Sequence, residues 1–159
     1  MRTIALALAF IGLAATASAA DIRKLKKSGT TQKELAVNGL VNIKDNCESK
    51  EPPEIDLDVA PKGGTVCVRP GMVRLGETWS GRNQHCIGKR ISGVFVVYKS
   101  FASFTGLDTL RYTARVPSDS KTYEVEIRID AGPTALDASP GRSEPQVAGP
   151  MPICAALVS

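Results

Sequence analysis

The chain predicts an all-β fold, an antiparallel sandwich held by disulfides, on three observations. The runs "TLRYTARV" (109–116) and "TYEVEIRI" (122–129) alternate apolar and polar residues with the period of two that half-buries a strand. Further short runs of strand-forming residues recur with Gly, Pro and Asn turn signals between them, and no stretch carries a sustained helical period. Cys47, Cys67, Cys86 and Cys154 form an even set, which in an exported chain reads as two disulfides.

Residues 1–20 read as a signal peptide. Met1-Arg2 supplies the positive start, residues 4–13 a short apolar run, and "ATASAA" the small residues of a cleavage site. The run is too short to hold the chain in a bilayer, so no stable membrane insertion is expected after cleavage. Removing it leaves 139 of the 159 residues, enough for one domain with one core, carrying 19 basic and 16 acidic side chains. That balance suits a soluble surface and makes no case for nucleic acid, which wants a clustered basic face. The cluster "RKLKK" (23–27) reads as a solvated N-terminal arm.

Residues 21–53 carry two incompatible signals. "TQKE" (31–34) has the spacing of a helix capping box, whereas "ELAV-NG-LVNI" places Asn38-Gly39 between apolar flanks as in a two-residue hairpin. The hairpin is favoured, within an N-terminal arm that ends in the Pro-bearing "ESKEPPE". A sandwich is then expected over residues 54–130. "EIDLDV" alternates as a half-buried strand, "APKGG" turns, and "TVCVR" is a second strand stopped by Pro70-Gly71, with "MVRL" resuming it. Residues 76–90, "GETWSGRNQHCIGKR", read as a long loop. "GVFVVY" (93–98) is apolar on both parities, as in a strand buried on both faces. The five residues "PSDSK" join the last two strands, across which Arg111 and Arg115 face Glu124 and Glu126. Residues 131–159 read as a Pro/Gly/Ala-rich tail with no core of its own, and no internal repeat is visible.

The stretch "FTGLDTLRYTA" (104–114) has the ingredients of a sandwich corner. Tyr112 can hydrogen-bond upstream backbone, Asp108 can accept amide bonds in the feeding turn, Gly106 permits a positive φ and Phe104 closes the core. Together, "APKGGTV", "GVFVVYKSFASFTGLDTLRYTA" and "YEVEIRI" resemble the bacterial immunoglobulin-like and cadherin-like repeat domains of surface and secreted proteins, over about residues 60–130. The resemblance implies an immunoglobulin-like β-sandwich, and says little of function because such domains host many roles. Leu110 stands where the family often has Phe, and Lys99-Ser100 where it often has Thr-Pro. The acidic calcium linker of cadherin-like repeats is missing, and Asp56 and Asp58 read as solvated strand charges.

Among catalytic motifs, no nucleophile elbow, phosphate loop or H-E-x-x-H is present, and His85 adjoins Cys86 where neighbouring side chains point apart. No enzyme, metal site or cofactor is expected; a zinc site would want paired ligands, and these cysteines are scattered. Four cysteines allow three connectivities. The expected one is Cys67–Cys86, stapling the base of the long loop, with Cys47–Cys154 pinning the tail. The functional expectation is an exported binding module, periplasmic or secreted, that meets an envelope protein or polysaccharide through Trp79, Arg82, Asn83 and His85. Trp79 has a second reading, as a ring folded back on the core. The alternative function is a structural component of the cell envelope that pairs through a sheet edge.

Overall fold

The computed structural model describes residues 22–78, 81–132 and 146–155, and residues 1–20, read above as a signal peptide, lie outside them. Among these residues eight strands form two sheets packed face to face: β1 (Ile22–Thr30), β2 (Glu34–Leu40), β3 (Glu54–Val59), β4 (Gly64–Arg74), β5 (Arg90–Ser100), β6 (Gly106–Val116), β7 (Asp119–Asp130) and β8 (Gly149–Pro150). One sheet has the order β1-β7-β6-β3-β8 and the other β2-β5-β4. The pairings between these strands are antiparallel except β1 with β7, so the larger sheet is mixed. Among the described residues no helix is long and apolar enough to cross a membrane.

The core follows from the alternation. Leu110, Tyr112 and Ala114 of β6 and Tyr123, Val125, Ile127 and Ile129 of β7 point inward, where they meet Val37, Val66, Val96 and Tyr98 of the second sheet. Tyr112 and Tyr123 stack at 5.0 Å between ring centres. The polar parity stays outside. Arg111 reaches Glu124 at 3.9 Å, as expected, but Arg115 pairs with Asp56 of β3 instead of a β7 glutamate. Asp58 accepts a hydrogen bond from Thr113 Oγ1 at 2.8 Å.

Several expectations are corrected. Residues 22–40 are neither a free arm nor a hairpin, and the helix alternative fails as well. "RKLKK" lies in β1, and the chain turns at residues 31–33 to cross from one sheet to the other. Gln32 takes the left-handed conformation there, and its N–H donates to Ser100 Oγ at 3.0 Å. Asn38-Gly39 lies inside β2 beside a bulge. Gly39 is required by packing: a Cβ there would sit 2.6 Å from Val73 Cγ1 and 3.2 Å from the Phe95 ring. Pro70-Gly71 does not stop β4, because β4 is an edge strand and can spare an N–H. The β6–β7 connection is tighter than five residues, with Val116 already opposite Asp119.

The tail is not free either. β8 pairs with β3, Met151 N–H donates to Ile55 O, and the chain then crosses to β4, where Val68 N–H donates to Pro152 O and Cys154 N–H to Val68 O. Gln146 completes this cover with its side chain. Its Oε1 accepts from Val66 N–H at 2.9 Å and its Nε2 donates to Val66 O at 2.7 Å, as a neighbouring strand would. The disulfides are Cys47–Cys86 and Cys67–Cys154, so the expected pairing is wrong. The strand sent to β4's edge carries Cys154 to Cys67, which leaves Cys86 to close on the loop that precedes β3.

Candidate functional site

The sandwich corner resolves into a buried network centred on Asp108, which is 4% exposed. Its Oδ1 accepts from Lys62 N–H at 3.0 Å and from its own neighbour Thr109 N–H at 2.9 Å. Its Oδ2 accepts from Gly63 N–H at 2.8 Å and from the Tyr98 hydroxyl at 2.9 Å. One carboxylate thus ties the β3–β4 turn to β5 and β6. Burial first, then the bond to Asp108, pushes the Tyr98 phenol far above its ordinary range. Gly63 is needed because Phe104 lies over it, 2.4 Å from where a Cβ would stand. Gly106 has φ +106°, as its place in the turn requires. Tyr112 is not the expected corner: its hydroxyl accepts from Asn38 Nδ2 at 3.2 Å, not from upstream backbone. Burial raises its pKa as well. Phe104, Gly106 and Asp108 thus stand at one end of the core, whereas Tyr112, four residues further along β6, turns its hydroxyl to Asn38 of β2.

The other end carries the long loop. β4 and β5 extend beyond the sandwich, with Leu75 N–H donating to Lys89 O and Gly88 N–H to Leu75 O. Residues 84–86 form a single 3-10 turn, entered through Asn83 in the left-handed conformation at φ +59°. Facing it, residues 42–50 fold back through the Ile43–Ser49 bridge and the bonds Lys44 N–H to Glu48 O and Lys50 N–H to Asn42 O. Hydrogen bonding from Asn46 and Lys44 lowers the Glu48 pKa. Cys47–Cys86 locks the two loops together over a second apolar cluster of Val41, Val73, Leu75 and Ile91, with Ile43 and Phe95 packed against it.

His85 is exposed, and its Nε2 lies 2.9 Å from Asp45 O, a second link between the loops. Its ring and the two sulfurs lie within 4.8 Å of one another. The sulfurs are spent on each other, so this group offers a metal only an imidazole. Arg82 is exposed and Asn83 half-buried, two and one residues ahead of this turn. Trp79, the fourth expected contact, lies outside the described residues.

Sequence reasoning missed the residue that roots this loop. Lys121 is 4% exposed, and its Nζ donates to Thr78 O at 3.3 Å, while Glu77 lies 3.8 Å from Arg23 of β1. The loop therefore returns to the first sheet before its turn. The signal was present, since Lys121 shares its parity with Tyr123 and Val125. Beside it lies a cleft of about 440 Å³, lined by Asn38 of β2, Met72 and Arg74 of β4, residues 75–78, Arg90 and Phe95 of β5, and Lys121 and Tyr123 of β7.

No family model matches this chain. No curated protein and no solved structure matches it either.

Proposed function

We propose that the chain is an exported, non-enzymatic immunoglobulin-like module that binds an envelope or extracellular partner, protein or glycan, through residues 76–90. The observation that carries the reading is the Cys47–Cys86 bridge. It fixes a loop the sandwich does not need, and so presents Arg82, Asn83 and His85 on a rigid base with little ordering cost on binding. Two disulfides are the chemistry of an oxidising compartment, which agrees with a periplasmic or secreted location and with the signal-like residues 1–20. The immunoglobulin-like reading is supported by strand order. β3-β6-β7 and β2-β5-β4 follow the C-F-G and B-E-D order of that sandwich, with β1 placed beside β7.

Assembly through a sheet edge has less in its favour. β4's edge is occupied by Gln146 and residues 152–154, and β1's carries Arg23, Lys24, Lys26 and Lys27, whose charges oppose strand addition, which leaves β2 as the long edge strand at which such pairing would have to occur.

The test is capture from an envelope extract by the immobilised mature protein, compared with an Arg82→Glu/Asn83→Gly variant. Glycine keeps the positive φ at residue 83, so the variant should retain its thermal midpoint and lose the partner. Equal capture by both proteins would end the loop reading.

A further inference from the structure

Arg74 and Arg90 stand directly opposite each other at the end of the β4–β5 pair. Leu75, the next residue, takes ladder hydrogen bonds through both its N–H and its C=O. Residues 74 and 90 are therefore the alternate, closer pair, in which Cα atoms approach to about 4.5 Å and side chains lie nearest. Like charges so placed repel. Elsewhere the strands oppose unlike charges: Arg111 faces Glu124, and Lys26 faces Glu126 with an ion pair at 3.5 Å. Among the described residues neither Arg74 nor Arg90 has an ion pair or a side-chain hydrogen bond.

Both arginines line the 440 Å³ cleft, and the buried Lys121 ammonium lies in the same wall. Glu77 is the one acid of that lining, and it lies against Arg23 on β1. The cleft has the size of a small-molecule site, with Met72 and Phe95 as apolar wall. Two guanidinium forks beside an apolar wall fit one chemistry, a group with two or three coplanar or tetrahedral oxygens sharing a negative charge.

We propose that this cleft binds a small organic anion, whose carboxylate, phosphate or sulfate group is held between Arg74 and Arg90. The site shares Arg90 and residues 76–78 with the loop of the proposed function, but it does not require the Arg82 contact. Its like-charged pair is the unliganded half of a three-body arrangement, completed by the anion.

The test is titration of the mature protein with sodium phosphate and with sodium glucuronate, against sodium chloride at equal ionic strength. Calorimetry and the thermal midpoint give the two readouts. A saturable rise in midpoint is expected with at least one of the two probes and not with chloride. Phosphate alone would mark a tetrahedral group, and glucuronate alone a carboxylate on a ring. Arg74→Gln/Arg90→Gln should weaken the affinity by about tenfold or more, the loss of a charge-assisted bond. Either single variant serves if the double does not fold. Arg128→Gln, on the exposed face of β7, should leave the titration unchanged. Without anion, Arg90→Gln should hold or raise the midpoint, because it relieves the repulsion. No effect beyond chloride, or an undiminished effect in the arginine variants, overturns the proposal. Binding retained in Arg82→Glu would separate this site from the loop contact.

Discussion

Replacing Asp108 by Asn tests the corner most directly, because it keeps the shape and removes half the acceptors. In the native protein each carboxylate oxygen accepts two hydrogen bonds. An amide keeps one oxygen and turns an NH2 group towards two donors. If it takes the Oδ2 place, the Tyr98 hydroxyl can rotate to accept, but Gly63 N–H cannot. One buried amide is then orphaned, at about 1–3 kcal/mol, and the surviving bonds lose their charge, at about 1 kcal/mol each. Allowing for relaxation, the cost is about 3–5 kcal/mol, or roughly 10–15 °C in midpoint for a domain of this size. Tyr98→Phe removes a single donor and should cost about 1–2 kcal/mol. Denaturant unfolding of both variants and of the double gives a cycle. The double should cost at least about 1 kcal/mol less than the sum, since the two groups touch. A cost for Asp108→Asn below about 1 kcal/mol, or strict additivity, would refute the account of Asp108 as the tie between three elements.

Peptide mapping without reduction should recover Cys47 with Cys86 and Cys67 with Cys154. In the chain-entropy picture these rings of 39 and 87 residues contribute about 4 and 4.5 kcal/mol, so either Cys→Ser pair should lower the midpoint steeply. Gly63→Ala should destabilise by about 1–3 kcal/mol through its clash with Phe104 and recover part of that when Phe104 becomes Leu, whereas Gly106→Val should be strained in either background. Tyr98 and Tyr112 keep their protons in the fold beyond the pH at which free phenols lose them. Stability should hence fall as pH rises past about 10, and less steeply in Tyr98→Phe; a midpoint flat from pH 8 to 11 in both proteins would contradict this.

The legible parts of the fold were those set by local period. β3 falls on the run "EIDLDV", and β6 and β7 present the parities their sequences advertise. What misled was local chemistry used for a distant purpose. Asn38-Gly39 looks like a turn, yet Gly39 is small because Phe95 and Val73 crowd it. Pro70 looks like a stop, yet an edge strand has an N–H to spare. Cysteine pairing depends on which strand lies beside which, and a two-residue strand ending in Pro150 carries no periodic signal. At the candidate site, the loop of residues 76–90 stood out by its length and composition. The Arg74–Arg90 opposition needed the β4–β5 register, which no run of residues displays by itself.

The strap formed by residues 146–155 has a consequence for biogenesis. It touches β3 in one sheet and β4 in the other, and it ends in the bond to Cys67. As the chain is synthesised, all eight described strands precede Cys154, and until residues 146–154 are made the edge of β4 lacks its cover. Through that interval Cys67 lacks its native partner, while Cys47 and Cys86 are both already in the emerged chain. An oxidant working in order of emergence would therefore join Cys67 to one of them, and disulfide exchange would have to undo that error. The last segment made thus decides whether the early bond survives, and maturation should need an isomerase in addition to the oxidant that makes the two bonds.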